Sequence, residues 1–287
     1  MIFGLILFLS FKVFSQVNPT DTISNSKTDS TQKKEESVFR KAPYLIIINS
    51  ASILSIGIFK WEWGSQRFAF RTENYFGANT THGGADKAGH LYSTYILSNV
   101  NAHFLKQRGV KNYLEYGVLL AWSNMLMVEL GDGFSKSNGF SNEDLVFNTI
   151  GAGISYLRGK NEFAKKFLDI RLEFTPSEFS LDAISETNYT DMKYITVMKP
   201  AAFTSSFLKF TELHVGYYTR GYTGLRAYEY ATENRTLYLG LSLNLHSLIL
   251  NRYSKYKSVK LLGDILHGVQ IPRSYIPVNV FHSETNR

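Results

Sequence analysis

Near Gly159 the dominant spacing of apolar residues changes from helical to alternating, and that change constrains the architecture more than any other feature. Before it, three stretches carry apolar residues at helical spacing: Ala85–Lys106, Lys111–Leu130 and Asn142–Leu157, divided by Gly109 and by the glycine-containing segment Gly131–Gly139. After it, apolar and polar residues alternate. Leu168, Ile170, Leu172 and Phe174 flank Asp169, Arg171 and Glu173; Leu213, Val215 and Tyr217 flank His214 and Gly216. The most regular run places Leu237, Leu239, Leu241, Leu243 and Leu245 around Tyr238, Gly240, Ser242 and Asn244. The expected fold class is therefore α+β: an N-terminal helical bundle of about four helices, then a small antiparallel, membrane-associated β region and a C-terminal amphipathic helix.

The remaining helix of the bundle is expected at Tyr44–Phe59, apolar but interrupted by Asn49, Ser50, Ser52 and Ser55. It is shorter than the ~20 residues of a membrane span, which favours a buried helix. Ser65–Phe76 reads as a short strand, because Phe68 and Phe70 alternate with Arg67 and Arg71. Leu248–Val269 reads as the basic amphipathic helix, with Ile249, Tyr253, Tyr256, Val259 and Leu262 on one side and Arg252, Lys255, Lys257 and Lys260 around it. The tail from Pro272 carries no strong pattern. Leu237–Leu245 approaches the ~9–11 residues of a transmembrane strand, but the four to six strands in sight fall short of the ~8 in the smallest single-chain barrel. A sheet packed on the helices or on a partner fits better than a closed pore.

Met1–Ser15 is an apolar run too short to span a bilayer, with Val13 and Ser15 placed for cleavage before Gln16, and reads as a signal peptide. Residues 16–41 are mostly small, polar or charged and read as a disordered tether. The expected domains are then 42–160, helical, and 161–287, β-rich. There is no cysteine, so these residues offer no acylated anchor, disulfide or thiolate chemistry. The net charge of +7 is scattered rather than clustered, which argues against nucleic-acid binding.

Function is concentrated in three polar pairs, each spaced about one helical turn apart: Asp86 with His90, Glu129 with Asp132, and Asp144 with Asn148. Lys87 and Ser135 lie beside them. Burying a carboxylate costs several kcal/mol unless it finds a partner, so the three helices are expected to gather these groups into one polar cluster. Ser141 is a suitable N-cap for the third helix, where Asp144 completes a variant capping box. Glu129 lies near a helix C-terminus, where negative charge is disfavoured, and needs His90 or Lys87. One reading is a satisfied network that fixes helix register. A second makes His90 a general acid or base oriented by Asp86 or Glu129. A third uses Glu129, Asp132, Asp144 and Asn148 as oxygen ligands of a hard cation with His90 as a nitrogen ligand, although the paired Glu-x-x-His motifs of di-iron bundles and any zinc motif are missing.

The blocks Asp86-Lys87-Ala88-Gly89-His90, Glu129-Leu130-Gly131-Asp132-Gly133-Phe134-Ser135 and Gly139-Phe140-Ser141, with Asp144, Asn148 and Gly151, resemble the YfiM-like family, DUF2279, over Pro43–Leu157 at most. Their order is distantly similar to VanZ-like membrane proteins linked to glycopeptide resistance. The resemblance implies an exported envelope protein of a Gram-negative bacterium, of Bacteroidota style, at the outer membrane or its periplasmic face, with no established enzymatic activity. The expected role is a non-catalytic accessory or structural subunit of an outer-membrane assembly, such as the type IX secretion machine. Its expected partners are outer-membrane lipid or an outer-membrane protein, and no cofactor or metal is expected. The alternative is an envelope hydrolase or lipid-modifying enzyme using His90 with Glu129 and Asp132.

Overall fold

Helices come first along the chain and a single sheet follows. The computed structural model describes residues 42–175, 189–222, 227–245, 247–248 and 266–286. Among them are five α-helices, α1 (Pro43–Lys60), α2 (Ala85–Gln107), α3 (Tyr113–Asp132), α4 (Asn142–Lys160) and α5 (Glu162–Phe167). Five strands complete the order: β1 (Leu168–Phe174), β2 (Met192–Met198), β3 (Thr211–Arg220), β4 (Thr232–Leu243) and β5 (Tyr275–Asn286). The four long helices lie within a few residues of their expected positions. Ser141 caps α4 as its spacing implied, accepting a 3.2 Å hydrogen bond from the Asp144 backbone N–H, and Glu143 and Asp144 complement the positive end of the helix dipole.

Helix α2 is the hub. A Cβ at Gly117 of α3 would lie 2.5 Å from Ala102 N, and one at Gly151 of α4 would lie 2.2 Å from the Leu91 carbonyl oxygen. Both flanking helices therefore touch the α2 backbone where no side chain intervenes. Asn49 on α1 donates a 3.1 Å hydrogen bond to Asn101 on α2, both buried. Another face of α2 meets the sheet, where Ala85, Tyr92 and Tyr95 form a core with Ile170 of β1 and Tyr194 of β2.

The sheet is antiparallel, with the strands in sequence order from β1 to β5. On one face Ile170 and Tyr194 pack against α2, and the same face continues apolar but uncovered across β3, β4 and β5. There Leu241 pairs directly with Leu213 and with Ile276, and is itself 50 % exposed. The opposite face buries Asp169, Arg171, Glu212, His214 and Ser242.

One expectation needs correction, and another lies largely outside the described residues. Ser65–Phe76 is not a strand. Phe70 makes one isolated bridge, to Phe140, because Ala69 and Arg71 bond the loop after α3 and the rings of Phe68, Phe70, Phe134 and Phe140 cluster there. The expected C-terminal amphipathic helix, Leu248–Val269, falls largely on residues outside those described, and the last described element is the strand β5 rather than a helix or a patternless tail. Pro277 obscures β5 in the sequence, since proline cannot donate to a ladder, but an edge strand tolerates it. Among the described residues, no helix is long and apolar enough to cross a membrane.

Candidate functional site

The first turns of α2 place Asp86 and Lys87 side by side and His90 one turn on. Lys87 is wholly buried, and its ammonium is ringed by Glu73, by Asp86 Oδ2 at 2.7 Å and by Asp144 Oδ1 at 2.9 Å. Burial by itself would depress this lysine, but the charges of Asp144 and Asp86 and the hydrogen bonds to Asp86 and Glu73 outweigh it and hold the ammonium protonated.

The opposite side of the cluster is built on His90. Its Nδ1 lies 3.2 Å from Glu129 Oε1 on α3 and 3.2 Å from Asn148 Oδ1 on α4, while Nε2 lies 3.9 Å from Asp144 Oδ1. The Asn148 amide donates to Glu129 Oε1 at 3.4 Å, and its Oδ1 lies 2.9 Å from the Thr94 hydroxyl. Burial opposes charge on the imidazole, yet Asp144, Glu129 and Asp86 together raise its pKa above the usual histidine value. Glu129 moves upward chiefly because it is buried, and the His90 charge opposes that rise.

Six of the eight expected residues meet: Asp86, Lys87, His90, Glu129, Asp144 and Asn148. The other two belong to a flank. Asp132 accepts hydrogen bonds from Trp63 Nε1 at 2.7 Å and Asn138 Nδ2 at 3.3 Å, and burial pushes its pKa up to about 6. Ser135 is buried, with its hydroxyl 2.9 Å from that of Ser137 and its carbonyl bonded by Gln66. Sequence reasoning missed Glu73, Thr94, Glu143 and Trp63. Glu143 accepts from the Glu73 backbone N–H at 3.2 Å and so ties the loop before α2 to α4. Thr94 was findable, since it stands one turn after His90; Glu73 and Trp63 arrive from irregular segments and share no periodicity with their partners.

A second charged centre lies under the sheet. Asp169 on β1 meets Arg158 and Lys199 at 2.6 Å, and Arg171 and His267 at 3.1 Å. Arg171 in turn clasps Glu212 with both guanidinium amines, at 2.7 and 2.9 Å. Burial pushes the Asp169 carboxyl up, but the His267 hydrogen bond and the Lys199 and Arg158 charges outweigh it and hold it well below the usual carboxylate range.

Residues 72–160 match the family described as "Predicted periplasmic lipoprotein (DUF2279)". The match runs from just before Glu73 to the end of α4, so it contains the whole Lys87 and His90 cluster and none of the sheet. It points to the cell envelope. No curated protein matches the chain, and no solved structure matches it.

Proposed function

We propose that this chain is a non-catalytic structural subunit of the outer membrane, seated in lipid by its apolar outer surface and locked internally by its polar clusters. The observation that carries the reading is an inverted distribution of side chains. Helix α4 buries Glu143, Asp144, Asn148, Ser155 and Arg158 and turns Val146, Ile150 and Leu157 outward. Strand β4 repeats the inversion, with Thr236, Tyr238 and Ser242 inside and Leu239, Leu241 and Leu243 outside. Helix α1 adds exposed Ile47, Leu54, Ile58 and Phe59.

Most of these side chains are about half exposed, so in water each forfeits roughly 1 kcal/mol of available burial, and a contiguous exposed apolar patch signals a lipid or protein contact. Strands of 10 and 12 residues, β3 and β4, suit the ~9–11 residues that cross a bilayer on a tilt. The envelope character of the matched family supports the compartment. The same surface would present the protein to an outer-membrane partner, and a secretion assembly of the type IX kind is the finer form of the proposal.

Envelope fractionation tests it. The protein is expected to stay with outer membranes through high-salt and urea washes and to leave only with detergent. Release by salt alone would contradict it.

A further inference from the structure

We infer that His90, Glu129 and Asp144 form a binding site for one Zn2+ ion. Their candidate ligand atoms, one imidazole nitrogen and two carboxylate oxygens, lie within 4.8 Å of one another. Around a four-coordinate ion with bonds of ~2.0–2.2 Å, ligand atoms stand about 3.4 Å apart. Glu129 stands 3.2 Å from His90 Nδ1 and Asp144 3.9 Å from His90 Nε2, so one ion, which takes a single ring nitrogen, requires the imidazole to turn or the farther carboxylate to swing in within that 4.8 Å spread.

Charge supplies the first argument. Glu73, Asp86, Glu129, Asp132, Glu143 and Asp144 converge on this region, while among the described residues the cations in ion-pair reach of the central carboxylates are Lys87 and His90. Carboxylates taken out of water demand cations nearby, and Lys87 is already committed to Glu73, Asp86 and Asp144. Glu129 has no lysine or arginine at all within that reach among the described residues.

An orphaned oxygen supplies the second. Asp144 is 6 % exposed, and its Oδ1 receives no hydrogen bond. The Lys87 ammonium stands 2.9 Å from it as an ion pair without a hydrogen bond. This oxygen faces His90 Nε2 and is buried beyond the reach of bulk water.

A second trio, Glu73, Asp86 and Asp144, is equally close-set. Lys87 Nζ sits among those three carboxylates and takes the place an ion would need. The candidate site is therefore the His90 trio. An imidazole ligand selects Zn2+ over Mg2+ and Ca2+, which prefer all-oxygen sets. Three protein ligands leave a fourth position for a water oxygen.

Equilibrium dialysis of the untagged, detergent-solubilised chain against Zn2+ tests the assignment. One tightly held Zn2+ per chain is expected, unaffected by excess Mg2+ or Ca2+. Glu129→Gln and His90→Gln should each weaken binding by more than the roughly 10–100-fold that losing an outer-shell partner costs, while Asp132→Asn keeps it. Co2+ bound to the wild-type chain gives a second readout that needs no variant to fold: its visible spectrum should show a nitrogen-containing low-coordinate site and vanish when Zn2+ is added. No retained Zn2+, or undiminished retention by both Gln variants, would overturn the site. Membrane extraction reads the outer surface and is scored separately, so either proposal can fail alone.

Discussion

Glu129 Oε1 on α3 lies 3.2 Å from His90 Nδ1 on α2, and Asn148 on α4 hydrogen-bonds the same carboxylate oxygen. Three helices therefore converge on a single atom. Glu129 is 1 % exposed and sits in the last turn of its helix, where the dipole disfavours its charge. Its stability in that position depends on these partners.

Removing the imidazole takes the nearer partner from Glu129 Oε1 and leaves it the Asn148 amide at 3.4 Å. His90→Ala should lower the unfolding free energy by about 1–3 kcal/mol, measured by denaturant titration in detergent. His90→Gln, which keeps a donor, should lose less. Equal losses in the two variants would mean that the donor is not what matters.

The α2 backbone accepts α3 and α4 only because Gly117 and Gly151 lack side chains. Gly151→Ala must displace the Leu91 carbonyl, which is backbone and cannot swing aside. We expect about 1–3 kcal/mol of destabilisation, the usual cost of overpacking a filled interior. Gly153→Ala in the same helix has open space around it, and should be neutral or slightly stabilising through helix propensity.

Asp132, on the flank of the His90 cluster, and Asp169, under the sheet, respond to pH with opposite signs. Asp132 has a folded pKa raised to about 6, so its favourable contribution is present below the unfolded value of ~3.9 and is lost as pH rises through about 6. Asp132→Asn can still accept from Trp63, and should raise stability at pH 7 by about 1–2 kcal/mol while flattening the profile between pH ~4 and ~6.

Asp169 is depressed in the fold. Its contribution is present above ~3.9 and is lost as pH falls through its lower folded value. Acid titration should show the sheet losing protection below pH ~4, and Asp169→Asn should abolish that acid dependence together with most of the sheet's stability. The loss follows because Arg158, Lys199 and Arg171 would remain buried without their common anion.

Residues that reach the His90 cluster from helices were legible in the sequence, because a spacing of three or four fixes a shared face whatever the helix packs against. Asp86 with His90 and Asp144 with Asn148 are of this kind. Asp132 shares that spacing with Glu129, but the chain after α1 brings Trp63 to it and draws it to the flank. In β1 the alternation correctly separates Asp169, Arg171 and Glu173 from Ile170 and Leu172. It carries no information on which face turns inward, and partners such as Lys199, Glu212 and His267 are far off in sequence. Strand β2 lacked a clean period, and in edge strand β5 the alternation of Ile276 and Val278 with Pro277 and Asn279 is broken by the register shift against β4 between Asn279 and Phe281.

The central claim is that the bare apolar face of β3, β4 and β5 lies in lipid, and the absence of cysteine from the chain makes it directly measurable. Leu241→Cys introduces a unique thiol at the centre of that face, to be labelled with an environment-sensitive fluorophore and reconstituted into vesicles that contain brominated lipid. The account predicts a blue-shifted emission quenched by the bromine atoms. Water-like emission, unquenched although the protein co-floats with the vesicles, would contradict it.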